Sequence, residues 1–372
     1  MATHTFQQVA EHFYEEIQSG PVVEVAIRRL ERSPALIAAV QAGDRRAARS
    51  ILRGLLADQL VRVWLLRNGR LWLQIGKSPA LAPVSGALQN AAGQTIGKLL
   101  VASQSIRTYA NSIAQLTGAQ VVLFEGQREL RSTDPSLKVT AQSLHAGSVF
   151  FAHGLKYRIV SFAGHSFPDA RIQVALLLGS SLIACGETPA QTNANAIGEV
   201  AQRIYRGESA GRKVRVILRE MERSSRFLRA VASRDPVATR GAIVGFFRSH
   251  AHIVRVRVTV GSRLLVDVGG PYVLAPIRGK LSRAGTVIGR FVTSIQDDAG
   301  YLKLVHLFTG AQVLIRSGGR QLMATLPPDS AELRLPDRGT VTYHGAGYQV
   351  YSFAVQAFPS GPLRISLLLA GA

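Results

Sequence analysis

The chain has 372 residues, 47% of them hydrophobic and 18% charged, with a mean hydropathy of +0.14; this excludes intrinsic disorder and suits two domains of ordinary size. Its single cysteine, Cys185, excludes an intrachain disulfide and a cysteine-based zinc cluster, without fixing the compartment. The net charge of +21 (pI ≈ 11.1) is mostly arginine: Arg28, Arg29, Arg32, Arg45, Arg46, Arg49 and Arg53 early, then Arg212, Arg215, Arg219, Arg223, Arg226 and Arg229.

These arginines read either as solvated helix faces or as attraction to a polyanion such as nucleic acid, anionic lipid or a cell-surface polymer. Dense basic blocks in one short segment are missing, which favours solvated faces over a nucleic-acid partner. No run is apolar enough to span a bilayer, and MATHTFQQVAEHFYEEI lacks a basic-then-apolar export pattern. The expectation is a cytoplasmic chain, or an extracytoplasmic one whose export signal was removed.

One module is written twice. VAEHFYEEIQSG (9–20) matches VAQRIYRGESAG (200–211), and RRLERSPALIAAVQAGD (28–44) matches REMERSSRFLRAVASRD (219–235), both offset by 191 residues. VRVWLLRNGRLWLQIGKSPALAP (61–83) lies over VRVRVTVGSRLLVDVGGPYVLAP (254–276), TGAQVVL (117–123) over TGAQVLI (309–315), and YRIVSFAGHSFP (157–168) over YQVYSFAVQAFP (348–359). The boundary falls in GSSLIACGETPAQTN, so the expected units are 1–190 and 191–372.

Each unit opens with helices. In KVRVILREMERSSRFLRAVAS, Val216, Met221, Phe227, Leu228 and Val231 fall near helical spacing. Asp235 is placed to cap the next helix, with Pro236 at its first position. HIVRVRVTV then alternates, Val254, Val256, Val258 and Val260 on one face and Ile253, Arg255, Arg257 and Thr259 on the other. VGSR predicts a hairpin into LLVDV. DDAGYLKLVHLFTG reads as a helix capped by Asp297 or Asp298 and closed by Gly310. AQVLIRS, GTVTYHG, YQVYSFAVQAF and LRISLLLA finish an antiparallel sheet. The class is α+β: a helical region packed on an antiparallel sheet, twice.

HIVRVRVTVGSRLLVDVGG, IGRFVTSIQDDAGY, TGAQVLI and YQVYSFAVQAFP, following a helical region and repeated, resemble the tandem Cache (extracytoplasmic PAS-like) sensor modules of bacteria. The resemblance implies a small-molecule pocket between the sheet and what covers it, an extracytoplasmic location, and a separate signalling partner. Such modules usually sit between transmembrane helices and feed an output domain; this chain shows neither.

The two copies differ in polarity. Arg257, Asp267, Asp297 and Asp298 stand where the first unit has Trp64, Gln74, Ser105 and Ile106, whereas Arg255 matches Arg62 and Tyr301 matches Tyr109. The expectation is a charge-bearing, ligand-binding second unit and an apolar or structural first one. Arg255 and Arg257 share a strand face suited to gripping a carboxylate or phosphate, or to pairing with Asp267. Asp297 and Asp298 either cap a helix or hold a ligand ammonium group. Tyr272, Tyr301 and Tyr343 are candidates to line the pocket, or are simply core. His250 and His252 form an H-x-H across a helix end with no evident third ligand, so no metal or other cofactor is expected. LIAC (182–185) has the form of a lipoprotein-processing box, but its mid-chain position makes it strand plus linker. No nucleotide-binding loop, nucleophile elbow or HExxH is present, so the chain reads as a non-catalytic binding protein.

Overall fold

A computed structural model of the chain describes residues 2–56, 60–76, 79–182, 188–250, 253–271, 273–358 and 361–370. Contacts divide the chain into two compact units, Met1–Gly186 and Glu187–Ala372. Cys185 and His252 lie outside the described residues, as does Tyr272.

Among the described residues, each unit contains two antiparallel regions rather than the single sheet expected. The first region of either unit is a four-stranded sheet under a helical layer. In the first unit its strands run, edge to edge, Arg70–Ile75, Arg62–Arg67, Thr95–Ala102 and Val84–Gln89; in the second, Arg263–Gly269, Arg255–Val260, Thr286–Ser294 and Ile277–Arg283. Alternation decides the faces. Val256 and Val258 turn into a core with Ile217, Met221, Phe227, Val231, Ile243 and Phe246 from the helices above, so Arg255 and Arg257 lie on the opposite face. Val63 and Leu65 do the same beneath Leu30, Leu36, Val40 and Leu52.

Capping chemistry sets the helix limits. The Asp235 carboxylate accepts from the amides of Val237 and Ala238, with Pro236 at the first helical position of Pro236–Ser249. Asp297 accepts from the Gly300 amide, and the helix Asp298–Thr309 stops at left-handed Gly310. The stretch from Lys213 to Ser233 is not one helix. Ser224 ends Arg212–Arg223 and caps Ser225–Ala232 through the Phe227 amide. The register also shifts: Val214, Ile217 and Met221 are buried, whereas Val216 is 52% exposed.

The second region of each unit packs against the unit's first helix. In the second unit, strands run Arg320–Ala324, Gln312–Ser317, Leu363–Ala370, Ala346–Val355 and Arg338–Tyr343, and a separate short sheet joins Gln296–Asp297, Val273–Leu274 and Ala357–Phe358. In the first unit the strand Leu155–Ser166 is continuous and ties the equivalent pieces into one sheet. VALLLG, just before the LIAC motif, is the end of the strand Ala170–Gly179, as its pairing with Leu155–Ser166 requires.

The duplication persists to single atoms. The Tyr109 hydroxyl donates to the Ala10 carbonyl at 2.9 Å, and Tyr301 donates to Ala201 at 2.8 Å. The Val121 amide donates to the Thr133 hydroxyl, which donates to Gln120; Val313, Thr325 and Gln312 repeat the arrangement. Ala82 and Ala275 both take a left-handed backbone, with φ of 48° and 50°.

Candidate functional site

The charged face of the second unit is built by strand register. Arg257 stands directly opposite Asp267, and Arg255 opposite Gly269. Arg255 reaches back along the ladder and grips Asp267 with two prongs, Nε to Oδ1 at 2.8 Å and Nη2 to Oδ2 at 2.9 Å. Its Nη1 donates to the carbonyls of Gly270 and Pro271, and its guanidinium lies 5.5 Å from the centre of the Phe358 ring. Arg255 is therefore fully committed. It locks the loop after the strand Arg263–Gly269 and holds Asp267 in place.

Arg257 is committed differently. Its Nε donates to Asp267 Oδ2 at 2.9 Å, and among the described residues its two terminal nitrogens make no hydrogen bond. Its side chain is 33% exposed, against 12% for Arg255. Burial raises the Asp267 carboxyl, but the hydrogen bonds and charges of Arg255 and Arg257 outweigh it and hold the group below the usual carboxylate range. With Asp267 ionised, the trio carries one net positive charge, presented by an arginine whose outer fork is free and whose inner edge is pinned.

The two acids lie nearby in the chain path but do not join this trio. Ser294 pairs with Arg255 across the sheet, and three residues later Asp297 pairs with Val273 in the short sheet. Asp297 is exposed and spends its carboxylate on the helix cap. Asp298 is 6% exposed, and its Oδ1 has no hydrogen-bond partner among the described residues. Burial, with the Asp297 charge beside it, pushes the Asp298 carboxyl up to about 6.

The tyrosines separate. Tyr301 is fully buried and its hydroxyl is spent on the Ala201 carbonyl, so it fastens the helix Asp298–Thr309 to the helix Pro189–Ala210. Tyr343 sits on the edge strand of the five-stranded sheet, donates to Asp329 at 2.6 Å and stacks on His344 at 4.0 Å. Neither is brought to Arg257. His250 caps the end of the helix Pro236–Ser249 and faces Glu220 at 2.9 Å. Among the described residues, no three His, Cys, Asp or Glu side chains could share a metal ion.

The first unit has Gln74 where the second has Asp267. Arg62, without a carboxylate at Gln74, lies 4.9 Å from the Phe167 ring centre and 5.6 Å from that of Trp64. Arg62 Nε and Trp64 Nε1 are buried without partners among the described residues. Beside them opens a cavity of about 350 Å³ walled by Trp64, Leu66, Pro83, Leu100 and Pro168, with Lys98 and Asp169 also lining it. The residues that pattern reasoning passed over are the carbonyls of Gly270 and Pro271 and the Phe358 ring, whose roles depend on chain approach rather than on side-chain type.

No family model matches the sequence, and no curated protein matches it. Solved structures similar to it include the periplasmic domain of Vibrio cholerae LuxQ, 12% identical, with 48% of this chain and 100% of that one aligned at a TM-score of 0.35. Another is the ligand-binding domain of the Pseudomonas fluorescens chemoreceptor CtaA in complex with L-alanine, 13% identical, with 47% of this chain and 95% of that one aligned at 0.29. A third is an extracellular ligand-binding receptor from Desulfohalobium retbaense, 12% identical, with 47% of this chain and 39% of that one aligned at 0.31. These neighbours are thus a periplasmic domain, a chemoreceptor ligand-binding domain and an extracellular ligand-binding receptor. Among the described residues, no helix of this chain is long and apolar enough to cross a membrane.

Proposed function

We propose that the chain is a non-catalytic sensory protein that binds a small polar or anionic metabolite in its second unit, on the face bearing Arg255, Arg257 and Asp267. The observation that carries the reading is the division of labour between the two arginines. Asp267 and the Gly270–Pro271 carbonyls use up Arg255, while among the described residues both terminal nitrogens of Arg257 are without a hydrogen bond, on a partly buried face. A pre-oriented guanidinium loses little side-chain freedom when a carboxylate docks, so a two-pronged contact there is favourable. Asp298, with a buried and unpartnered oxygen, is a candidate for the opposite pole, suited to a ligand ammonium. The binding signal would pass to a separate signalling partner through the helix Asp298–Thr309.

Thermal-shift screening of the full chain against amino acids, small carboxylates and purines tests this reading. A stabilising carboxylate whose effect disappears in Arg257→Ala supports it. A panel without any hit rejects it. Steep, salt-dependent retention on heparin that survives physiological salt would instead favour a polyanion-binding role for the +21 chain.

A further inference from the structure

A second cavity lies on the helix-covered side of the second unit, where the junction between the helices Ser225–Ala232 and Pro236–Ser249 meets the hairpin of Arg255–Val260 and Arg263–Gly269. It measures about 320 Å³ and is lined by Arg234, Pro236, Val260, Arg263, Leu264 and Leu265. None of these is acidic. Among the described residues, neither Arg234 nor Arg263 makes a side-chain hydrogen bond or ion pair.

The first unit provides an internal control, because its backbone is the same here. Asp44 caps its helix through the amides of Arg46 and Ala47, as Asp235 does through Val237 and Ala238. The hairpin turns pass through Asn68 and Gly261 with φ of 52° and 59°. The contents differ. In the first unit Arg45 donates to the Trp72 carbonyl, and the guanidiniums of Arg45 and Arg67 each lie 6.0 Å from the Trp72 ring centre. That unit fills the space with its own side chains. The second unit has Pro236 for Arg45, Val260 for Arg67 and Leu265 for Trp72, and all three replacements empty it.

The arginine at the junction is placed at a backbone cost. Arg234 has φ of 54°, in the left-handed region, where the first unit has Gly43 at 71°. A side chain is disfavoured there, so keeping an arginine where glycine fits the same turn calls for a role. The hairpin arginine is present in both units, as Arg70 and Arg263.

We infer that this cavity of the second unit binds small organic anions, the carboxylate between Arg234 and Arg263 and the apolar body against Pro236, Val260, Leu264 and Leu265. The pairing follows from two uncompensated guanidiniums over an apolar wall. This site is separate from the Arg257 face, on the other side of the same sheet.

Calorimetric titration of the full chain with benzoate, indole-3-acetate and octanoate, beside uncharged benzamide and indole-3-acetamide, tests it. At least one carboxylate should bind saturably, and its amide at least about tenfold more weakly, a difference of about 1.4 kcal/mol. Arg234→Gly should weaken the carboxylate at least tenfold while leaving the melting temperature unchanged or raised, since it relieves the left-handed arginine. Leu265→Trp, which restores the first unit's plug, should abolish binding with an unchanged circular dichroism spectrum. No saturable binding up to about 10 mM, equal binding of acid and amide, or binding retained in Arg234→Gly and Leu265→Trp would each overturn the inference.

Discussion

Arg255 and Asp267 meet through both prongs, at 2.8 and 2.9 Å, although they are not direct neighbours in the ladder; Arg257 holds the directly opposed place. One carboxylate therefore serves two arginines, and the diagonal partner receives the better geometry. Among the described residues, that leaves the outer fork of the opposed arginine without a hydrogen bond.

Removing the shared acid should unsettle both arginines. Asp267→Asn is expected to cost about 1–3 kcal/mol, because two partly buried guanidiniums lose their counter-charge. The Asp267 carboxyl is held below its ordinary value, so its contribution is full above the unfolded value of about 4 and is lost as pH falls through the folded one. Urea midpoints should separate wild type from variant at pH 7 and converge toward pH 2. A variant as stable as wild type at pH 7 would show that the trio adds nothing to the fold.

Asp298 has the opposite sign. With its carboxyl raised to about 6, the folded state holds a proton that the unfolded state has released between roughly pH 4 and 6, so stability falls as pH rises through that window. Asp298→Asn should raise stability by up to about 2 kcal/mol at pH 7.5 and change it little at pH 4. Chemical denaturation at the two pH values is the check, and a destabilised variant at pH 7.5 would refute the assignment.

The tyrosine anchors predict equivalent losses in the two units. Tyr109→Phe and Tyr301→Phe each remove one buried hydroxyl that donates to a helix carbonyl. Each should cost about 1 kcal/mol, with the orphaned carbonyl as the main source. Denaturant midpoints that move for only one of them would show that the repeat does not extend to this contact.

Gly269 stands at φ 130°, and a Cβ there would come within 2.2 Å of the Val254 carbonyl oxygen. Its counterpart Gly76, at φ 80°, would meet the Val61 oxygen at the same distance. Gly269→Ala and Gly76→Ala should each destabilise by at least about 2 kcal/mol. Gly269→Ala should also displace the Gly270 carbonyl that Arg255 holds. Melting curves close to wild type would contradict this.

Local chemistry was the legible part of the sequence. Asp235 with Pro236, Asp297 with Gly310 and the VGSR hairpin all depend on groups a few residues apart, and the structure has each of them. The α+β class was legible for the same reason. Less legible was anything set by chain approach. The second unit gains a separate short sheet because the strand Val273–Leu274 pairs with the distant Ala357–Phe358, which no periodicity records. Strand parity placed Arg255 and Arg257 on one face, but it could not tell which of them Asp267 would saturate. Tyr301 looked like a pocket residue because tyrosine carries a polar tip; its hydroxyl instead finds a carbonyl 100 residues earlier. The Arg234 cavity was written in the mismatch of Gly43, Arg45, Arg67 and Trp72 with their counterparts, but it became readable only once the hairpin was seen beside the helix junction.

The central claim is that the free fork of Arg257 receives a ligand carboxylate. Calorimetric titration of the full chain with the best stabilising carboxylate, run beside Arg257→Ala and Arg257→Lys, tests it most directly. The account predicts saturable binding by the wild type, loss of at least about 2 kcal/mol of affinity in Arg257→Ala, and only partial rescue by lysine, which offers a point charge in place of a planar fork. Equal affinity in wild type and Arg257→Ala would contradict it.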